Sequence, residues 1–193
     1  MRFIKPLFSA ILFALLSTSA LAAPIELAGV RVEDNAVVGG VKIPLNGAGI
    51  RVKFVKIYVG GLYVSKKVNT LDELVAAPGP KRLQMTFLRE VDSSAFGKLL
   101  TRGVQDNVAK EQYSRMIPGL IRMGEIFGAN KALYAGDVVT LDWIPGTGVV
   151  VTVRGKVQGE PMRDPEFFQG MMAIWFGTNP GDWKLKDAML DVK

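Results

Sequence analysis

Apolar and polar positions change their spacing several times along the chain, and each change marks an element. From Ile25 to Leu45, short β-prone runs are broken by Gly39-Gly40 and Pro44, which predicts one or two hairpins. The segment "GAGIRVKFVKIYVGGLYVS" (47–65) then reads as a Gly-rich turn leading into a long strand from about Arg51 to Ser65. Gly60-Gly61 within it marks a bulge or a close backbone approach. "NTLDELVAAPGP" predicts a short helix capped by Asn69 or Thr70 and stopped by Pro78. Residues 81–91 alternate as a strand, with Leu83, Met85 and Phe87 on one parity and Arg82, Gln84 and Thr86 on the other. Asp92, Ser93 and Ser94 offer an N-cap for a helix reaching about Val108, with Phe96, Leu99, Leu100 and Val104 along one stripe.

A second long helix covers residues 110–128, where Met116, Ile117, Leu120, Ile121 and Phe127 recur at helical spacing. Pro118-Gly119 in its middle is expected to bend or split it. "DVVTLDWIPGTGVVVTVRGKV" (137–157) predicts two alternating strands joined at Pro145-Gly146-Thr147-Gly148, and helices follow over about 165–176 and 183–191. Strands cluster early and again near the end, with helices between and after. This segregation predicts an α+β fold, an antiparallel sheet with helices packed on one face, and no internal repeat is present.

The N-terminal residues change the picture of where the chain works. Arg2 and Lys5, an apolar run from Leu7 to Leu16 and a small-residue tail have the layout of a signal peptide, with cleavage expected after Ala22. The expected product is a single 171-residue domain (23–193) in the periplasm, with no membrane span left after cleavage. Loss of Arg2 and Lys5 lowers the formal charge from +6 to +4, too modest and too dispersed for a nucleic-acid partner. The chain has no cysteine, so packing alone must hold the exported fold, and thiol nucleophiles and lipoprotein anchoring are excluded. It also has no histidine, which removes serine-histidine catalysis and the usual zinc sites; no metal and no cofactor is expected.

The remaining candidate motifs read as ordinary structure. "GTG" at 146–148 joins two strands and opens no helix, so it is a turn and not a phosphate loop. Asp137, Asp142 and Asp164 flank strands or turns, and their spacing picks out no glycosidase pair. "FFQGMMAIWFG" (167–177) is apolar nearly all round, as a buried helix or the wall of an apolar pocket would be.

Two residues fit less easily. Tyr113 shares the stripe of Met116, Ile117 and Leu120, so its hydroxyl is carried inward and requires a partner. Arg51 cannot lose its proton; inside the fold it requires an anion, and at a strand edge it keeps its head in water. The residues alone leave both positions of Arg51 open.

Three segments together resemble the chalcone isomerase family, in its exported bacterial chalcone isomerase-like branch: "GAGIRVKFVKIYVGGLYVS", "EQYSRMI" and "IWFGTNPGDWKLKDAML". The resemblance implies an open-faced sandwich, a large antiparallel sheet covered by helices, with a ligand cleft between them. In the plant enzymes of this type an arginine holds a phenolate nucleophile while a tyrosine supports the developing enolate. Arg51 and Tyr113 match those two residues. Tyr58 stands in the place of the catalytic threonine, Leu120 in that of an asparagine, and Ile174 in that of a threonine or serine. Loss of those polar partners penalises a polyphenol and argues against chalcone cyclisation.

A cation, a phenol and an apolar wall suit a ligand with one carboxylate and a hydrocarbon body. The expectation is therefore a monomeric, non-catalytic protein that binds a fatty acid or similar apolar acid through Arg51, Tyr113, Tyr58, Leu120 and Ile174. One alternative is an isomerase or intramolecular lyase acting on an enone-like or phenolic compound through Arg51 and Tyr113. The other is an envelope protein-interaction module in which Arg51 is structural.

Overall fold

The computed structural model describes residues 24–192, so the expected signal peptide lies outside the described residues. The described chain opens with a small hairpin, β1 (Ile25–Leu27) and β2 (Val30–Val32), turned at Ala28-Gly29. A second hairpin, β3 (Asn35–Val38) with β4 (Val41–Lys53), turns at Gly39-Gly40, where φ values of 56° and 81° suit glycine. The long strand is therefore β4, and Arg51 lies near its end. A one-residue turn at Phe54 follows, and the rest of the segment expected as one strand is the partner strand β5 (Val55–Val64). Pro44 does not break β4; it sits where β4 pairs with the short edge strand β3.

Helix α1 (Leu71–Ala76) is capped by Thr70, whose side chain accepts from Glu73 N, while Glu73 accepts from Asn69 N. Next, β6 (Lys81–Phe87) buries its odd positions on the helical side, as its alternation predicts. A two-residue strand, β7 (Val91–Asp92), leads into α2 (Ser93–Gln105), with Asp92 accepting from Ala95 N as N-cap. Then come α3 (Lys110–Gly128), β8 (Ala132–Leu133), β9 (Val138–Ile144), β10 (Gly148–Val153), β11 (Lys156–Met162), α4 (Pro165–Phe176) and α5 (Trp183–Met189). The expected two-stranded hairpin is thus a three-stranded meander. Its second turn, Arg154-Gly155 at φ 52° and 75°, has the left-handed pair that a tight hairpin requires.

Seven strands form one antiparallel sheet in the order β11-β10-β9-β6-β5-β4-β3. The five helices of the described residues all contribute to a large core that covers one face, where Leu62, Leu83, Met85, Phe87 and Leu141 meet Leu74, Phe96, Met116, Phe167, Met171 and Met189. At one end of the opposite face the β1–β2 hairpin builds a smaller core of Val32, Val38, Ile43, Val59 and Tyr63. Elsewhere on that face the cross-strand pair Arg82–Asp142 makes two hydrogen bonds of 2.7 and 2.6 Å.

Two close approaches position the helices around the later site. Gly47, Gly49 and Gly60 lie under α5; a Cβ on Gly49 would stand 2.7 Å from Ala188 Cβ, and one on Gly60 would stand 3.1 Å from Met189 Sδ. Gly60-Gly61 therefore marks a close approach, with the ladder to β4 and β6 regular through both residues. Helix α3 runs unbroken through Pro118, whose ring faces solvent. Met116, Leu120 and Met123 anchor both halves in the core, and Gly119 lies directly against the Phe167 ring of α4. Packing on either side of the proline thus outweighs the local break.

Candidate functional site

Arg51 and Tyr58 are direct cross-strand partners in the β4–β5 hairpin, so both side chains leave the same face of the sheet. A register shift next to Arg51 re-aims the strand end, and the guanidinium lies against Gly181, close enough that a Cβ there would be 3.5 Å from Nη2. Its side chain is about four-fifths buried. One nitrogen, Nη1, donates to Val52 O at 3.1 Å and to Asp182 Oδ2 at 3.2 Å. Nε and Nη2 have no acceptor among the described residues.

Asp182 holds this corner together. Oδ2 accepts from Val52 N at 3.0 Å as well as from Arg51, while Oδ1 caps α5 by accepting from Lys184 N and Leu185 N. Burial by itself would raise its carboxyl. The hydrogen bonds from Val52 and Leu185 and the Arg51 charge outweigh burial and hold it below the ordinary carboxylate value.

Tyr58 is buried, and its hydroxyl oxygen accepts from Trp175 Nε1 at 2.9 Å. With the indole fixing that oxygen, the phenolic hydrogen is left to donate, and it has no acceptor among the described residues. Burial pushes the Tyr58 phenol up to about 12, against smaller opposing effects of the Trp175 hydrogen bond and the Arg51 charge. At neutral pH it is a hydrogen-bond donor and not a base.

These groups border a cavity of about 300 Å³ between the β4–β5 hairpin, α2 and the α4–α5 connection. Its apolar wall is built from Ile57, Phe96, Leu99, Leu100, Ile174 and Leu185. Leu99, expected in the core stripe, is mostly exposed and stands at this wall. Lys53 and the Arg102–Asp106 pair also border the cavity, giving three cations against two carboxylates. At the opposite wall, α2 and α4 are drawn together where Gly103 meets Ile174. A second depression of similar volume, between α3 and β11, is lined by Arg115, Arg122 and Asp164 and is more open to solvent. Among the described residues no cluster of three carboxylates could hold a metal ion.

The structure therefore brings together three of the five residues singled out in the sequence: Arg51, Tyr58 and Ile174. Tyr113 and Leu120 do not line this cavity; this corrects the expected pairing of Arg51 with Tyr113. Tyr113 is half-buried against the main core from α3, and Leu120 is buried within it. Helical spacing shows which face of α3 turns inward, but not that its inward face meets α2 and α4 instead of Arg51. The phenol beside Arg51 is Tyr58, and the anion beside it is supplied by the protein. Asp182 and Trp175 were missed. "GDW" does carry the signal of a helix N-cap, which would have placed a carboxylate at the start of α5.

The profile of the family described as chalcone isomerase-like matches residues 23–191. Among solved structures, a fatty-acid binding protein of Arabidopsis thaliana superposes with a TM-score of 0.60 at 14% identity, covering 81% of this chain and 96% of that one. Among curated proteins none matches significantly.

Proposed function

Because the chain belongs to the chalcone isomerase-like family, we propose that it is an exported, non-catalytic binder of a fatty acid or similar apolar carboxylate, held in the cavity between sheet and helices. The observation that carries this reading is the arrangement of unused donors. Arg51 Nε and Nη2 and the Tyr58 hydroxyl sit together at the end of an apolar cavity with no acceptor among the described residues. A carboxylate would satisfy these donors at once, while its hydrocarbon body replaced water along Ile57, Phe96, Leu100 and Ile174. The fatty-acid binding function of the Arabidopsis structure supports the same ligand class.

Isomerase chemistry is less well served. A polyphenol needs polar partners for its hydroxyls, and this wall carries Ile174 where the enzymes of the family would have a threonine or serine. The signal-peptide layout of residues 1–22 supports a periplasmic location.

Titration with cis-parinarate, a fluorescent fatty acid, tests the proposal. The unaltered protein is expected to bind it and to lose affinity by about 10- to 100-fold in Arg51→Gln, the range of a charge-assisted hydrogen bond. Ile174→Phe, which fills the cavity, should abolish binding. No binding, or equal affinity in all three proteins, overturns the assignment.

A further inference from the structure

The tip of the β4–β5 hairpin is built unlike an ordinary turn. It consists of Val52, Lys53, Phe54, Val55 and Lys56, all exposed, and Phe54 as a residue is 99% exposed. Phe54 has φ 63°, a left-handed conformation in which a bulky side chain is rare and glycine or asparagine would be relaxed. The residue least suited to that backbone, and least suited to water, thus occupies the most projecting position. No packing explains it. Such strain is a mark of function when the surroundings hold it in place, and here they do: Asp182 accepts from Val52 N at the base of the turn, and Arg51 closes on both.

The charges on the tip itself, residues 52–56, are of one sign. Lys53 and Lys56 flank Phe54, and neither has a carboxylate partner among the described residues. Asp182 also fixes the start of α5 to the hairpin, which brings Trp183, 57% exposed and with Lys186 over its ring, to the hairpin base. Projecting apolar and aromatic side chains interleaved with lysines match an anionic lipid surface: the rings enter the headgroup layer while the ammonium groups remain among the phosphates. Lys53 and Leu99 also border the cavity, so this end of the molecule carries both the tip and the cavity mouth.

The geometry points to the β4–β5 tip as a docking element for bilayers containing anionic phospholipid, which would present the cavity mouth to the lipid phase. Docking needs only the tip, so it stands apart from what the cavity holds.

The test is co-sedimentation of the protein, in the form the cell leaves it after expression, with vesicles of phosphatidylcholine alone or with about one-third phosphatidylglycerol. The protein should partition onto the anionic vesicles and not onto the neutral ones. Lys53→Glu/Lys56→Glu should lower the partition by about thirty-fold or more, and Phe54→Gly by about tenfold. Phe54→Gly also relaxes the backbone, so it should melt no lower than the parent, which separates lost docking from lost folding. Ile174→Phe should dock like the parent even though its cavity is filled, so failure of the cavity reading and failure of docking give different results. Equal binding by the tip variants and the parent, equal binding to both vesicle types, or self-association through Phe54 without lipid, overturns the inference.

Discussion

Asp182 makes the most demanding prediction, because four hydrogen bonds converge on one carboxylate of which only about an eighth is exposed. Asp182→Ala removes the cap of α5, worth about 1 kcal/mol. It also strips Val52 N of its acceptor, about another 1 kcal/mol, and leaves Arg51 without its anion, adding up to about 1 kcal/mol. A total of about 2–3 kcal/mol in a domain of this size lowers Tm by about 5–10 °C, measurable by circular dichroism at pH 7. Asp182→Asn keeps the shape but turns one of two acceptors into a donor, setting an N–H against either the hairpin or the α5 N-terminus; about half the loss is expected.

The pH dependence has a definite sign. The folded carboxyl titrates below its unfolded value of about 3.9, so its contribution is complete above that value and disappears as pH falls through the folded one. The parent and Asp182→Ala should therefore draw closer in strong acid, as the part of the difference that depends on the charge is lost. In the parinarate titration the same variant should bind more tightly, because Arg51 has lost its internal competitor. An unchanged Tm at pH 7, or a difference that does not shrink in strong acid, would refute the reasoning.

Two further outcomes test the scaffold. Arg82→Ala leaves the buried Asp142 carboxylate without either of its short hydrogen bonds, and a loss of about 3–5 kcal/mol is expected in urea unfolding; replacing both residues by hydrophobes of similar size should recover much of it. Gly49→Val forces a side chain into Ala188 and Leu185 and should cost about 1–3 kcal/mol, whereas Gly40→Ala in the open turn should cost only the price of its left-handed backbone.

Much of the fold was legible because its elements carry strong periods. The alternation of Leu83, Met85 and Phe87, the Thr70 and Asp92 caps and the apolar run of α4 all correspond to elements found in the structure. The errors arose where a pattern is locally indifferent. "IRVKFVKIYV" is equally β-prone on both sides of Phe54, so nothing in its composition reveals a one-residue reversal; the left-handed φ falls on a residue that rarely takes it. At Pro118 the local signal is strong, and contacts distant in sequence outweigh it. For the site, Arg51, Tyr58 and Ile174 could be read one at a time. Replacing Tyr113 with Tyr58 as the neighbour of Arg51 needed the strand register, which fixes which side chains stand opposite one another. Asp182 lies 131 residues from its partner, and no window of sequence joins the two.

That separation has a kinetic consequence. Closing so large a loop carries an entropy cost, so the meeting of hairpin and α5 is expected to come late in folding, after the sheet is assembled. A guest captured at this corner recognises only the finished molecule and draws the equilibrium toward it by mass action. Occupancy would then act as a seal, slowing the release of the last helix and with it the first step of unfolding.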